Sequence, residues 1–599
     1  MSLEFLNELN PQQRQAVCHT QGPLMIVAGA GTGKTRTLTC RIAYLVREAG
    51  VDPANILALT FTRRAAWEMK QRIAHLLGEK EFMLPEIGTF HSVCAKILRE
   101  EISVLGYDRD FVILTEEEQI DLLREAGAKS RPEANACLKQ ISAFKNRRCA
   151  ETGAPPLFSE YQAALKQRNA TDFDDLILHV LRLFETTPQI LNRYMDRFRH
   201  ILVDEYQDLN PPQYMLVRIL TGPDQNLCVV GDADQAIYAF RGAQVENFLN
   251  FQKDYPRAEI LRLEQNYRSS PVIVKAAEQV VSRNTLRMEK RLWSDAETGE
   301  RIRIMEVGDE KQEARWIASR IETLLGGTSM FHHDTDRIQA GEDPGHYSFS
   351  DMAVLFRLRA QARPLQATFE QAGIPCRLLS GERLDRRPDM RQVRSLLRFL
   401  AGPEKDAVLP GMLKASLISL SKTREQSSLQ DLIRELSGIC HLDEITLRSL
   451  KAMALPYLNL TWGTSLPSFL HDLCLGRESD LFDPRAQAVT LLTMHAAKGL
   501  EFPVVFICGL EEGLMPYARD GSPSADEIEE ERRLFHVAMT RAMKELYLLH
   551  ARTRILYGSP LPGEPSPFLQ DIEEALFQAD VLKKKSRPPQ KENPQLGLF

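Results

Sequence analysis

One stretch near the start of the chain constrains its fold more than any other: Leu24-Met-Ile-Val-Ala-Gly-Ala-Gly-Thr-Gly-Lys-Thr35. The first four residues, Leu24 to Val27, are apolar and predict a buried strand. A glycine-rich turn follows them, and the residues after Thr35 can begin a helix. A strand, a glycine-rich loop and a helix in this order are the setting of a phosphate-binding loop.

The residue types in this loop suit a bound polyphosphate. Glycines at 29, 31 and 33 let backbone N–H groups approach phosphate oxygens, and the start of the helix favours negative charge. Lys34 can reach the β- and γ-phosphates, and the Thr35 hydroxyl can hold Mg²⁺. Ala28 stands where the first glycine is usual. A glycine-rich turn with a stray lysine is the alternative, but the spacing favours a nucleoside triphosphate site.

Length and composition place few further limits on the chain. Its 599 residues exceed what one core supports, so we expect several domains. A net charge of −6 neither indicates nor excludes a nucleic-acid partner, because a groove needs only local positive charge. The ten cysteines include no C-x-x-C pair, so we expect reduced thiols rather than a zinc site or a disulfide framework. The sequence shows no signal peptide and no apolar run long enough to cross a bilayer, so we expect a cytoplasmic protein.

Short apolar runs alternate with helical patterns in two groups. The first group comprises Ile56–Leu59, Ile201–Val203, Leu227–Val230 and Ile260–Leu263, and the second Arg301–Val307, Met352–Phe356, Val489–Met494, Val504–Cys508 and Leu546–His550. Alternating strands and helices predict the α/β class, here with two parallel-sheet domains.

Two helical segments interrupt these sheet domains. We expect a first sheet domain of residues 1–92 and 171–275 with a helical insertion at 93–170. The second, 276–383 and 484–575, carries a helical insertion at 384–483, and 576–599 form a disordered tail. A polar loop at 326–347 contains His332, His333 and His346, for which a solvated loop is favoured over a metal site.

A second phosphate element is Ile201-Leu-Val-Asp-Glu-Tyr-Gln-Asp208. Its apolar strand delivers two adjacent carboxylates to the strand's carboxyl end, where open α/β sheets bind their ligands. Asp204 would hold Mg²⁺, and Glu205 would orient and deprotonate an attacking water. An exposed acidic strand end is the alternative, and the phosphate loop makes hydrolysis the favoured interpretation.

These two elements, and the motifs around them, resemble the UvrD/Rep/PcrA group of superfamily 1 DNA helicases. The matching motifs follow in the family's order: Leu9-Asn-Pro-Gln-Gln13, the phosphate loop, Thr60-Phe-Thr62 with Arg63 to Lys70, Gly88-Thr-Phe-His-Ser92, Asp172-Phe-Asp-Asp-Leu176, Asp204-Glu-Tyr-Gln-Asp208, Val230 to Ala243, Leu263-Glu-Gln-Asn-Tyr-Arg-Ser269, Thr493 to Phe502 and Glu531 to Arg541.

The resemblance implies two RecA-like motor domains that share one ATP cleft, with ATP and Mg²⁺ as cofactors and 3′→5′ movement on single-stranded DNA. Its implied catalytic residues are Lys34, Asp204, Glu205, Gln235 and two arginine fingers, Arg268 and Arg541. Its implied ATP-binding residues are Gln13, Ala28, Gly29, Ala30, Gly31, Thr32, Gly33, Lys34, Thr35, Arg36, Arg241, Tyr267, Arg268, Glu501 and Arg541, with Thr35 and Asp204 at the metal.

Single-stranded DNA requires aromatic platforms for its bases and cations along its phosphates. The resemblance implies DNA contacts at Phe61, Thr62, Arg63, His91, Tyr238, Phe240 and His495. For Phe61 and Tyr238, simple core packing is the alternative. Lys145, Arg147 and Arg148 could touch a flanking duplex, although a solvated helix face is favoured for them.

The chain departs from the family in two respects. The second insertion, of on the order of a hundred residues, is shorter than the family's accessory domain, and it lacks the Arg-Gly-Ile-Gly loop that relatives use to hold duplex DNA. The resemblance therefore does not extend to strong duplex anchoring or to autoinhibition by that domain.

The chain end Gln595-Leu-Gly-Leu-Phe599 resembles peptides that dock on the bacterial sliding clamp. It would use Gln595, Leu596, Leu598 and Phe599 as an amide and apolar anchors on a flexible tether.

For the whole chain there are two alternative functions. A helicase–nuclease fusion would need a further carboxylate-rich domain, and a degenerate scaffold would not require intact Lys34, Glu205, Arg268 and Arg541.

Overall fold

The computed structural model describes residues 4–78, 83–147, 153–222, 226–296, 299–326, 347–379, 384, 387–402, 417–442, 444–457, 460–476, 486–517 and 522–581. The chain forms two compact units. Unit 1 comprises Met1–Arg268, Asn284–Asp295 and Leu379–Pro484, and unit 2 comprises Ser269–Arg283, Ala296–Leu378 and Arg485–Phe599. Three predicted features lie wholly or almost wholly outside the described residues. They are the loop at 326–347 with its three histidines, the clamp-binding chain end at 595–599, and Arg148.

The core of unit 1 is a six-stranded parallel sheet. Its strands are β1 (Leu24–Ala28), β2 (Ile56–Thr60), β3 (Glu86–Thr89), β6 (His200–Val203), β7 (Asn226–Gly231) and β8 (Glu259–Leu263), and a separate short pair joins β4 (Val112–Ile113) to β5 (Ala170–Thr171). The strand order is β3-β2-β6-β7-β1-β8, and every neighbouring pair is parallel. All residues of β1 and β2 are buried, as expected for a sheet covered by helices on both faces.

This strand order fixes which loops meet. Strands β6, β7 and β1 are consecutive neighbours and run in one direction, so their carboxyl ends lie at one edge of the sheet. The phosphate loop follows β1, the Asp204–Glu205 pair follows β6, and residues 232–235 follow β7. The fold therefore brings three separated sequence motifs to one edge.

The helices that cover this sheet and connect its strands are amphipathic. They are Glu4–Asn7, Pro11–Cys18, Lys34–Arg47, Arg63–Leu77, Phe90–Glu101, Phe173–Thr186, Pro188–Arg197, Pro211–Thr221, Val245–Leu249 and Phe251–Asp254. Their apolar sides form two cores, one on each face of the sheet. The helix Lys34–Arg47 begins directly after Gly33, whose φ of +82° is left-handed and favours glycine.

The first insertion consists of helices Glu116–Glu125, Arg131–Arg147 and Phe158–Gln167, which pack around a small core of their own. Lys145, in the second of these helices, is buried and lies 2.8 Å from Asp175 and in contact with Asp172. The two predictions for Lys145, a duplex contact or a solvated face, are therefore wrong. Burial and the neighbouring charge of Asp175 raise the pKa of Asp172 to about 7.

The second insertion is also helical. Its helices are Pro388–Ala401, Leu429–Cys440, Glu444–Ala454 and Trp462–Leu475, around a core that includes the fully buried Trp462. It interrupts the second sheet domain in the chain, as predicted, and its contacts group it with unit 1. Arg394 lies 3.3 Å from Glu118 of the first insertion. Burial alone would raise the pKa of Glu118, but the positive charges of Arg398 and Arg394 outweigh this effect and lower the pKa.

Unit 2 contains a seven-stranded sheet. Its strands are β9 (Ile302–Val307), β10 (Met352–Phe356), β11 (Cys376–Leu379), β12 (Val489–Thr493), β13 (Phe502–Ile507), β14 (Ala542–Ala551) and β17 (Phe577–Val581), in the order β11-β12-β10-β13-β14-β9-β17. Its helices are Pro271–Val281, Glu310–Leu324, Ala362–Gln371 and Ala525–Met539. A hairpin of β15 (Thr553–Leu556) and β16 (Ser559–Pro562) follows β14.

The predicted fold class, two parallel-sheet domains with helical insertions, is confirmed, and two details differ. The first sheet domain was predicted to extend to residue 275. The first segment of unit 1 ends earlier, at Arg268, and Asn284–Asp295 also belong to unit 1. Phe577–Val581, predicted as tail, form β17, because this edge strand pairs its backbone with β9 while its side chains stay half-exposed or exposed. Among the described residues, no helix combines the length and apolarity needed to span a bilayer.

Candidate functional site

The phosphate loop lies at the carboxyl end of β1 and is closely packed. Gly31 has a φ of +72°, and a Cβ built there would lie 2.7 Å from both Asn266 Nδ2 and Arg268 Cβ. A Cβ on Gly33 would lie 2.8 Å from Gln13 Nε2. No larger residue fits at either position without displacing its neighbours, which explains these two glycines of the sequence motif.

Three predicted catalytic side chains converge beside this loop. Lys34 Nζ lies 3.6 Å from Glu205 Oε1 and donates to Gln235 Oε1 at 3.3 Å. Glu205 has a left-handed φ of +53°, a strained conformation for a residue with a side chain. Gln207 Nε2 donates to Glu205 Oε2 at 2.5 Å and so fixes the second carboxylate oxygen. The ammonium, carboxylate and amide are thus arranged around one point at the sheet edge.

The two predicted metal ligands suit Mg²⁺ by their chemistry. Asp204 is buried directly after β6, and its Oδ1 accepts from the backbone N–H of Glu205 at 3.0 Å. Thr35 is the second residue of the helix that follows the phosphate loop. A carboxylate and a hydroxyl are hard oxygen donors, and Mg²⁺ at nucleotide sites needs only one or two protein ligands because phosphates and water complete its shell. Among the described residues, no group of three or more His, Cys, Asp or Glu side chains could hold a metal ion.

The carbonyl groups of the phosphate loop are held by three residues of unit 1. Gln13 Nε2 donates to Thr32 O at 3.0 Å, Asn266 Nδ2 donates to Ala30 O at 2.7 Å, and the Tyr267 backbone N–H donates to Gly31 O at 2.9 Å. Gln13 and Tyr267, both predicted to bind ATP, therefore meet at this loop.

Tyr267 lies beside the phosphate loop and is 56% exposed. Its hydroxyl accepts from Asn10 Nδ2 at 2.9 Å and donates to Gln265 Oε1 at 2.7 Å. These contacts fix the orientation of the ring. Neither Asn10 nor Gln265 was predicted as a site residue. Asn10 has a second role, because it also caps the helix that contains Gln13.

The predicted arginines have different surroundings. Arg268 follows Tyr267, and its backbone N–H donates to Asn266 Oδ1 at 2.8 Å. Arg36 forms an exposed ion pair with Glu8. The guanidinium of Arg241 lies over the rings of Tyr238 and Phe240, 5.2 and 5.3 Å from their centroids, and its contact with the nucleotide stays a prediction.

In unit 2, the guanidinium of Arg541 is buried. It donates to the carbonyl oxygens of Val537 at 2.9 Å and Leu500 at 3.1 Å, and to Thr540 Oγ1 at 3.0 Å. Glu501 is exposed directly before β13, and His495 lies in the turn after β12. The nucleotide and DNA roles of these three residues stay predictions.

An aromatic cluster in unit 1 forms the candidate DNA platform. The rings of Phe61 and Tyr238 stack with centroids 4.8 Å apart, and Tyr238 lies 6.0 Å from Phe240. Tyr238 is buried, but Phe240 is 63% exposed, which is unusual for a side chain this apolar. Tyr238 thus supports the cluster from within, and Phe240 presents the surface on which a base can stack.

The other predicted DNA residues of unit 1 lie at helix starts. Thr62 Oγ1 accepts from Ala65 N at 3.1 Å and caps the helix that begins at Arg63. His91 stacks on Phe173 with ring centroids 3.7 Å apart, and Phe173 was not predicted. Arg63, which was predicted to bind DNA, forms an ion pair with Asp472 of the second insertion. In this conformation its guanidinium therefore contacts a carboxylate of the protein itself.

Comparison with known proteins decides the family. Residues 9–256 match the UvrD/REP helicase N-terminal domain, and residues 261–439 and 446–553 match the UvrD-like helicase C-terminal domain. The chain belongs to the UvrD/REP helicase family. It is 36% identical over 657 residues to the ATP-dependent DNA helicase PcrA of Staphylococcus aureus, covering 96% of this chain and 87% of that protein. The PcrA of Staphylococcus epidermidis is 35% identical over 677 residues, covering 99% and 90%.

For this UvrD/REP-family chain, the sequence motifs predicted the residues at the sheet edge but not those that hold them. Gln207 and Asn266 lie inside recognised motifs, yet their roles depend on contacts with other strands. Phe173 lies in the short motif Asp172 to Leu176, and its role depends on stacking with His91 of another helix. A search for amides and aromatics within the motifs would have found all three.

Replacing Phe240 by alanine should weaken binding of single-stranded DNA without nucleotide. Loss of one stacked base costs about 1–3 kcal/mol, so the Kd for an oligothymidine should rise about 5- to 150-fold. Tyr557→Ala, which removes a 79% exposed ring from the hairpin of unit 2, is the matched control and should leave the Kd unchanged. Fluorescence anisotropy measures both, and equal Kd values for the two variants would contradict the platform.

Proposed function

We propose that this chain is an ATP- and Mg²⁺-dependent DNA helicase and translocase that moves 3′→5′ along single-stranded DNA. The observation that carries the proposal is that Lys34 Nζ lies 3.6 Å from Glu205 Oε1 and 3.3 Å from Gln235 Oε1 at one edge of the sheet. The names of the similar Staphylococcus proteins support the ATP and DNA specificity. The direction rests on the family resemblance alone.

Each convergent group has a chemical task in hydrolysis. Lys34 neutralises charge on the β- and γ-phosphate oxygens, which lowers the barrier to phosphoryl transfer. Glu205, oriented by Gln207, aligns the attacking water and accepts its proton. Gln235 contacts Lys34 and is placed to sense whether the γ-phosphate is present. Arg268 and Arg541 are proposed as arginine fingers, which stabilise the charge of the transition state.

Thr35 and Asp204 would hold the metal ion. When bound, Mg²⁺ neutralises developing charge on the phosphate oxygens. The contribution of the chain is the orientation of its two oxygen ligands, of which Asp204 is fixed by the backbone N–H of Glu205.

Hydrolysis can be coupled to DNA through one short loop. Gln235 contacts Lys34, and Tyr238 and Phe240 follow it by three and five residues in the same chain segment. A shift of this loop on loss of the γ-phosphate would therefore move the aromatic platform. Repeated cycles of such grip and release would move the strand past the protein.

A strand-separation assay tests the proposal. Wild-type protein with ATP and Mg²⁺ should unwind a duplex with a 3′ single-stranded tail and fail on the matched 5′-tailed duplex. Glu205→Gln should bind ATP and DNA but lose unwinding and DNA-stimulated hydrolysis, by about 10²-fold or more, because the water loses its base. Glu48→Gln makes the same change at an exposed position and is the control.

Three results would contradict parts of this proposal. Unwinding of only the 5′-tailed duplex would reverse the direction. Undiminished hydrolysis in Glu205→Gln would remove the role of Glu205. ATP binding without any DNA-stimulated hydrolysis in the wild type would favour the scaffold alternative.

The chain end Gln595–Phe599 is proposed to bind a sliding clamp. The support is its sequence, with two apolar anchors and an amide near the end of a polar segment. Deletion of Leu598 and Phe599 should abolish capture of the full-length chain by immobilised clamp, while DNA-stimulated ATP hydrolysis stays at the wild-type rate. Equal capture of the full-length and shortened chains would show that the peptide is incidental.

A further inference from the structure

The loop after β7 contains two carboxylates, Asp232 and Asp234, that are fully buried. Buried like charges are unstable unless cations and hydrogen bonds compensate them. The cations come from the segment 284–295, which lies outside every motif of the sequence analysis. Lys290 Nζ contacts Asp232 Oδ1 and lies 2.6 Å from Asp234 Oδ2. Arg287 makes two 2.8 Å hydrogen bonds to the two oxygens of Asp234.

Lys290 is almost inaccessible, with 3% of its side chain exposed. Burial opposes its charge, but the attraction of Asp232 and Asp234 outweighs this effect and raises the pKa of Lys290. Lys290 therefore stays charged throughout the neutral range, and the group of two carboxylates and two cations is electrically balanced.

The segment 284–295 is fixed to unit 1, although the chain on either side of it belongs to unit 2. The Trp293 backbone N–H donates to Glu264 O at 3.0 Å, and Trp293 O accepts from Asn266 N at 2.7 Å. Leu292 packs on the phosphate loop so closely that a Cβ on Gly29 would lie 2.6 Å from its Cδ2. The two cations are thus presented from a well-anchored strap.

The balanced group is joined to the catalytic side chains by two short routes through Asp232. Asp232 Oδ2 accepts from Gln235 Nε2 at 2.6 Å, and Gln235 Oε1 accepts from Lys34 at 3.3 Å. The backbone N–H of Asp232 donates to Gln207 Oε1 at 3.0 Å, and Gln207 Nε2 donates to Glu205 at 2.5 Å. The position of Asp232 therefore sets the orientation of both amides that contact Lys34 and Glu205.

We propose that Lys290 and Arg287 are positioning residues for ATP hydrolysis, which hold Asp232 and Asp234 so that Gln235 and Gln207 are aligned on Lys34 and Glu205. This inference rests on the proposed ATPase function. Both cations act on the reacting groups through Asp232 and Asp234. Without Lys290, Asp232 would carry an uncompensated buried charge, and the loop would relieve it by moving toward water and rotating the amide of Gln235. A displacement of about 1 Å at a catalytic group can cost 10²-fold in rate.

The test compares hydrolysis with nucleotide binding in the full-length chain. Lys290→Met removes the charge at similar length, Lys290→Arg restores a cation, and Arg291→Met is the control at the exposed neighbouring position. The kcat for ATP with saturating single-stranded DNA is divided by the fraction of chains that bind a fluorescent ATP analogue. This correction removes the effect of misfolded protein.

Lys290→Met should lower the corrected kcat about 10- to 100-fold while the Kd for the analogue changes less than about threefold. Lys290→Arg should recover most of the loss, and Arg291→Met should match the wild type. If Lys290→Met does not fold, Arg287→Gln replaces it, because Arg287 is less buried and Lys290 still balances Asp232. It should lower the corrected kcat in the same direction.

Three outcomes would overturn the inference. A corrected kcat at the wild-type level in Lys290→Met and Arg287→Gln would show that the cations serve stability only. A rise in the Kd for the analogue together with a fall in kcat, without rescue by Lys290→Arg, would show general damage to the site. A wild-type chain that binds the analogue but does not hydrolyse ATP would overturn the proposed function, and this inference with it.

Discussion

The Lys34 ammonium, held between a carboxylate from one strand end and an amide from the next, is the interaction on which the functional site of unit 1 depends. The order β6-β7-β1 makes it possible, because Glu205 follows β6, Gln235 follows β7 and Lys34 follows β1. Because parallel strands all end on the same side of the sheet, the loops that follow these three strands lie next to one another. The strained backbone of Glu205 and the packed glycines of the phosphate loop are local consequences of bringing them so close.

The same constraint explains the polar density around the site. A cation, two amides and several carboxylates are held away from water, where each unpaired group would be costly. Unit 1 meets this requirement with connected pairs, from Lys34 through Gln235 and Asp232 to Lys290. Such a network tolerates few orientations. The loop after β7 contains Asp232 and Gln235 of this network, and Tyr238 and Phe240 follow a few residues further on.

The sequence predicted most of this site because its signals are local. Glycine spacing, an apolar strand before Asp204 and the order of motifs are all readable within short windows, and the predicted family and fold class are confirmed. Lys145 was misjudged because its partners, Asp172 and Asp175, lie some thirty residues away, and a lysine on a charged helix resembles a solvated one. Strand β17 carries no apolar periodicity, since backbone pairing with β9 holds it. Lys290 stands among other charged residues that make it inconspicuous.

The most direct test of the link between nucleotide and DNA is their mutual effect on binding. The Kd for single-stranded DNA should be measured with and without a non-hydrolysable ATP analogue, in the wild type and in Gln235→Ala. We expect the analogue to change the wild-type Kd for single-stranded DNA by about fivefold or more. We also expect Gln235→Ala to bind each ligand but to lose this dependence. An equal dependence in both proteins would contradict the account, since the loop after β7 would then not connect the two sites.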